Sequence, residues 1–201
     1  MKKNMDVTKL VKFIKGEETR VALFQNKIMR KIAELGCKFD VVPWMGDATA
    51  QVTYASTHST KLPAHIKISS FLAKEDNMAG VYATLHEIGH AIDWNDCNRD
   101  FMTYNLTYGT GDYEIRAWEH AFKLGRELGF TASEFDDLHE YALKCLWTYF
   151  EGGICFSHHD RRFGFPRNKA KHWGDALDRM EQAIKKEKQV IRDRAKLMLG
   201  L

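Results

Sequence analysis

Proline is scarce, with three in 201 residues, and no run of Gly, Ser or Pro marks a flexible linker. The chain also lacks internal repeats and low-complexity tracts. These absences exclude a repeat array and a Pro-rich spacer, and leave one compact domain over 1–201 as the expectation. Long apolar runs are missing as well. Nothing approaches the roughly 20 apolar residues of a membrane span. The lysine-rich opening MKKNMDVTKLVKFIKGEE has no continuous apolar segment of the secretory kind. Cysteine is limited to Cys37, Cys97, Cys145 and Cys155, irregularly spaced and without a C-x-x-C pair. Neither a disulfide framework nor a cysteine-rich zinc module is expected, and free thiols in a cytoplasmic protein are.

Apolar material is plentiful, at 44% hydrophobic and 12% aromatic, enough for a real core. The net charge of +3 is small but uneven. Residues 161–201 hold twelve Lys/Arg against five Asp/Glu, so the first 160 residues are net acidic. A basic C-terminal region suits an acidic partner, nucleic acid included, or is simply a solvated helix face.

Hydrophobic spacing gives the elements. Helices are expected over 5–15 and 17–35, where Val21, Phe24, Ile28, Ile32 and Leu35 recur at three- and four-residue steps. Gly36 stands where a helix-ending glycine belongs. KFDVVPW, AQVTYAS (50–56) and HIKIS (65–69) read as strands, with turn chemistry in THSTKLP between the last two. From Met78 to Trp94 the period is helical, with Val81, Leu85, Ile88 and Ile92 as its apolar stripe. Residues 95–111 read as a long loop. A helix follows from about Asp112 to Leu128, with Ile115, Trp118, Ala121, Phe122 and Leu128 inward. Gly129 ends it, and Ser133 with Asp136 form an S-x-x-D start for a helix over 134–151. A long charged helix over about 170–198 closes the chain. The order is α+β, with a small sheet in the N-terminal half and helices after it.

One stretch carries chemistry: TLHEIGHAID, residues 84–93. On a helix, His86 and His90 lie about 40° apart and can meet one metal ion at about 2.0–2.1 Å. Glu87, about 100° from His86, lies beside the ion, where it can take a proton from a metal-activated water. Gly89 costs about 1 kcal/mol in a helix interior, which implies close approach of another element. The plain alternative is two solvent-facing histidines.

His86-Glu87-Ile88-Gly89-His90 resembles the active-site helix of zincin metallopeptidases, and HIKIS resembles the edge strand along which those enzymes lay their substrate. The resemblance covers roughly 50–125. It implies one zinc ion per chain, a protein or peptide substrate and Glu87 as general base. It also implies a sheet and metal-site core over 37–128, between N-terminal helices (1–36) and a helical part (129–201).

A catalytic zinc takes three protein ligands, and four carboxylates compete for the third place. Asp96 sits where a metzincin-type pattern has its last ligand, but Asp93 replaces the glycine that turns the chain there. Asp112, in GTGD, resembles an Asp-zincin start and equally suits a helix N-cap. Glu119 is expected at the surface with Lys123. Glu114 shares the apolar face of Trp118 and Ala121, and with Ala117 it resembles the E-x-x-A third-ligand helix of gluzincins. His86, His90 and Glu114 are therefore the expected ligand set. For an oxyanion donor, Tyr104, Tyr108, Tyr149, His158, His159 and Arg161 remain open. His139-Glu140 lacks a second histidine and reads as helix surface. Small zincin-like domains also occur in plasmid antirestriction proteins and in proteases of DNA-bound proteins, which keeps a nucleic-acid-associated role as the alternative.

Overall fold

The computed structural model describes residues 19–43, 50–54, 56–57, 60–74, 77–99, 110–151 and 169–199. Among them are five helices: α1 (Arg20–Glu34), α2 (Met78–Asp96), α3 (Thr110–Leu128), α4 (Ala132–Glu151) and α5 (Lys169–Leu199). The strands are β1 (Lys38–Val42), β2 (Ala50–Thr53), β3 (Ser56–Thr57), β4 (Thr60–Lys61) and β5 (His65–Ser69). The fold is mixed α+β and mostly helical, as expected. The helix expected over 5–15 and the irregular stretch over 154–168 lie outside the described residues.

Local chemistry sets the boundaries. Thr19 caps α1, its hydroxyl accepting from the Ala22 N–H at 3.1 Å. Gly36, at φ +69°, turns the chain out of α1 into β1. Asn77 caps α2 by accepting from the Ala79 N–H at 3.0 Å. Two expected starts move. α3 begins at Thr110, so Asp112 lies inside its first turn rather than at its cap. α4 begins at Ala132, because the capping box is Thr131 with Glu134 and not Ser133 with Asp136. The Glu134 N–H donates to Thr131 Oγ1 at 3.3 Å, and the Thr131 N–H donates to Glu134 Oε2 at 2.7 Å. Both patterns fit the sequence, but the second lies two residues too late.

The three-stranded sheet has the order β1-β5-β2. β1 runs parallel to β5 (Phe39 opposite Ile66), and β2 runs antiparallel to it (Val52 opposite Ile66). HIKIS is therefore the central strand and not the edge strand. The edge positions belong to β1 and β2. The expected strand over 50–56 ends at Thr53, and the turn segment after it folds into the small β3–β4 hairpin. Burial explains the order: Ile66 and Ile68 are buried, as the middle strand requires, whereas β1 and β2 are half-buried or exposed.

One apolar cluster joins α1 (Phe24, Ile28, Ile32), β5 (Ile66), α2 (Leu85, Ile88, Trp94), α3 (Ile115, Trp118, Phe122), α4 (Phe135, Leu138) and α5 (Met180, Ile184). Each such side chain contributes about 1.5–3 kcal/mol by leaving water. α2 runs through the middle, buried at every position from Gly80 to Ala91, so it is enclosed all round rather than on one stripe. No described helix is long and apolar enough to cross a membrane.

Candidate metal centre

Because α2 is enclosed, its polar residues are enclosed with it. His86 and His90 are 8% and 7% exposed, which rules out two solvent-facing histidines. The close approach implied by Gly89 is made by α3: a Cβ on Gly89 would fall 2.3 Å from the Ala117 carbonyl oxygen. With the backbones this near, Glu114, one turn before Trp118 on α3, reaches across to the histidines. Of the long loop expected over 95–111, Asn95 and Asp96 belong to α2 and Thr110 and Gly111 to α3, while 100–109 lie outside the described residues.

Three atoms converge. His86 Nε2 lies 3.0 Å from Glu114 Oε2, His90 Nε2 lies 3.6 Å from the same oxygen, and the two Nε2 atoms are 3.2 Å apart. Bonds of about 2.0–2.1 Å at tetrahedral angles put ligand atoms about 3.3 Å apart. The two imidazoles and one carboxylate thus fit a divalent ion in spacing and in donor type. The set does not by itself select zinc among such ions. His86 Nδ1 is buried without a hydrogen-bond partner, and the ring is instead held by stacking on Trp118, with centroids 4.2 Å apart and planes 23° apart. Tyr54 steadies the other histidine's backbone, its hydroxyl donating to the His90 carbonyl at 3.4 Å.

Electrostatics follows from burial. Burial pushes the Glu114 carboxyl up, but the charge of His90 and the hydrogen bond from His86 outweigh it and hold the carboxyl far below the usual range. Burial pulls His90 down, yet Glu114 beside it leaves the imidazole above its ordinary value. Glu87, 7% exposed, is raised chiefly by burial, against the lowering effect of the two histidines. The Val52 backbone lowers it as well, so the edge strand β2 runs beside it.

The remaining candidates fall elsewhere. Asp96 is exposed in the last turn of α2, about 240° round the axis from His90, because the helix continues where a metzincin-type chain would turn. Glu119 points away from the cluster and pairs with Arg179 of α5 at 3.1 Å, not with Lys123. The side chains of Asp112 and Tyr149 lie outside the described residues, as do Tyr104, Tyr108, His158, His159 and Arg161. Cys97 is buried and apart from the three ligands. Glu140 is exposed and pairs with Lys144 at 2.7 Å, as a helix surface should, while His139 is half-buried with its Nε2 unpartnered.

Sequence reasoning missed a second buried cluster made by the same two helices. Asp93, which entered only as a replaced glycine, is fully buried. Arg116 Nη2 donates to its Oδ1 at 2.7 Å, Arg116 Nε lies 3.1 and 3.2 Å from its two oxygens, and His120 Nε2 sits 3.1 Å from Oδ1. A carboxylate three residues past His90, in the last turn of α2, was the available signal, since a helix C-terminus disfavours negative charge.

No family model, curated protein or solved structure matches this chain. The functional reading therefore stands on the motif and on this geometry.

Proposed function

We propose that this chain is a zinc-dependent peptidase. The observation that carries the reading is the convergence of His86 Nε2, His90 Nε2 and Glu114 Oε2 within 3.6 Å of one another, with the Glu87 carboxyl buried beside them. His86, His90 and Glu114 hold the ion. When bound, zinc supplies Lewis acidity, polarising a carbonyl and bringing the pKa of water towards 7. Glu87 is the general base. Its burial raises the carboxyl above its ordinary value, which makes it a stronger base. β2 offers an unpaired edge among the described strands, and Val52 on it lies near Glu87, which sets that edge beside the base. An extended peptide added alongside β2 brings a main-chain carbonyl to Glu87. Glu87→Gln keeps the shape of the site and removes the base. Metal content should stay at the wild-type level while cleavage of a mixed peptide pool falls by about 10²–10⁴. Equal cleavage by this variant contradicts the mechanism.

A second reading rests on the end of α5. Residues 192–198 are all exposed and carry Arg192, Arg194 and Lys196. A nucleic-acid-associated role, of the antirestriction type or in processing DNA-bound proteins, would use these cations against phosphate. A mobility shift of single-stranded DNA that weakens with salt and disappears when all three become Gln supports it. Absence of binding at low salt removes it.

A further inference from the structure

The cluster of Asp93, Arg116 and His120 takes no part in the chemistry above, yet its position is costly. Asp93 has no exposed surface and lies in the last turn of α2, against the helix dipole. A buried ion pair is a poor way to gain stability, because well-packed apolar residues hold helices together as firmly. What the pair provides is geometry. A guanidinium meeting a carboxylate through Nε and Nη2 fixes distance and plane together.

That geometry acts on the two helices that carry the triad. Asp93 is three residues from His90, and Arg116 is two residues from Glu114. Between the clusters, Gly89 rests on the Ala117 backbone with no side chain to stop α3 from sliding or rolling. The triad depends on that setting, since Glu114 Oε2 must stay at 3.0 and 3.6 Å from the two imidazoles. A displacement of about 1 Å is enough to spoil such a site. We propose that Asp93, Arg116 and His120 are positioning residues for the metal centre, a clamp that sets the slide and rotation of α3 against α2. This inference rests on the reading of the triad as a metal site.

The test is zinc affinity, by chelator competition, together with the visible absorption spectrum of the cobalt(II)-loaded full chain. It compares wild type, Asp93→Asn, Arg116→Gln, the double variant and Phe24→Leu, a core control in α1. Asp93→Asn and Arg116→Gln should each weaken zinc binding about tenfold or more and alter the cobalt spectrum. The double variant should be little worse than either single one, because both remove the same clamp. Phe24→Leu should lower Tm and leave affinity and spectrum unchanged. Wild-type affinity and spectrum in Asp93→Asn overturn the proposal, as does an equal loss in Phe24→Leu. If Asp93→Asn does not fold, Arg116→Lys decides: it keeps the charge but not the fork, and an unaltered spectrum overturns the clamp. Failure of the wild type to take up either ion overturns the metal reading itself and is seen before any variant is compared.

Discussion

The helices α2 and α3 make two buried polar clusters from nearly the same parts. One has two histidines and a carboxylate, His86, His90 and Glu114; the other has a carboxylate, a histidine and an arginine, Asp93, His120 and Arg116. The second is complete in itself, since the guanidinium neutralises the carboxylate and fills its lone pairs. The first is not. It brings three electron-pair donors together, adds the carboxyl of Glu87 beside them, and pairs Glu114 with two imidazoles, which are cations only when protonated, rather than with an arginine or lysine. A buried carboxylate with a permanent counter-charge is a fastening, whereas one facing two imidazoles, which give up their protons to a metal, is a place for an ion.

The comparison can be broken at its centre. Gly89→Ala places a Cβ 2.3 Å from the Ala117 carbonyl oxygen, a backbone atom that cannot step aside. It should cost about 3 kcal/mol or more by chemical denaturation and abolish metal binding, because α3 must move and Glu114 moves with it. Retained affinity would mean that the two helices are not locked together as described.

Acid tests the second cluster. Burial pushes Asp93 up, but hydrogen bonds from His120 and Arg116 and the charge of Arg116 outweigh it, so its folded-state pKa lies below the unfolded value of about 3.9. A depressed carboxyl contributes stability that is fully present above the unfolded pKa and is lost as pH falls through the folded one. Asp93→Asn should therefore lower stability at neutral pH by about 3 kcal/mol and flatten the loss of stability below about pH 4. An unchanged acid limb in that variant would show that the clamp is not ionised as described.

Two smaller effects sharpen the contrast from outside it. Thr131→Ala opens the capping box of α4 and should cost about 1 kcal/mol in thermal melts, with metal content unaffected. Glu119→Ala removes an exposed pair with Arg179 and should change stability by less than about 1 kcal/mol. Metal loss in either variant would mean that the site extends beyond the three ligands.

Much of the site was legible because it obeys helical spacing. The i, i+4 histidines, the inward Glu114 four residues before Trp118 and seven before Ala121, and the glycine at the crossing all follow from period 3.6 and from the cost of Gly in a helix. What escaped was non-local. Alternation marks HIKIS as a strand but does not say which neighbours flank it, so centre and edge were exchanged. Glu119 was assigned its neighbour Lys123 because Arg179 lies 60 residues away. The capping box was misplaced because T-x-x-E and S-x-x-D overlap and only the hydrogen bonds choose. Asp93 was invisible as a clamp because an ion pair between two helices leaves no period in either.

The central claim is that the incomplete cluster holds an ion. Metal content of the purified protein, by mass spectrometry, tests it directly with wild type, Glu114→Ala and Glu119→Ala side by side. The account predicts about one zinc per chain in the wild type, kept in Glu119→Ala and lost in Glu114→Ala. Zinc retained in Glu114→Ala, or no metal in the wild type after zinc is offered, would contradict it.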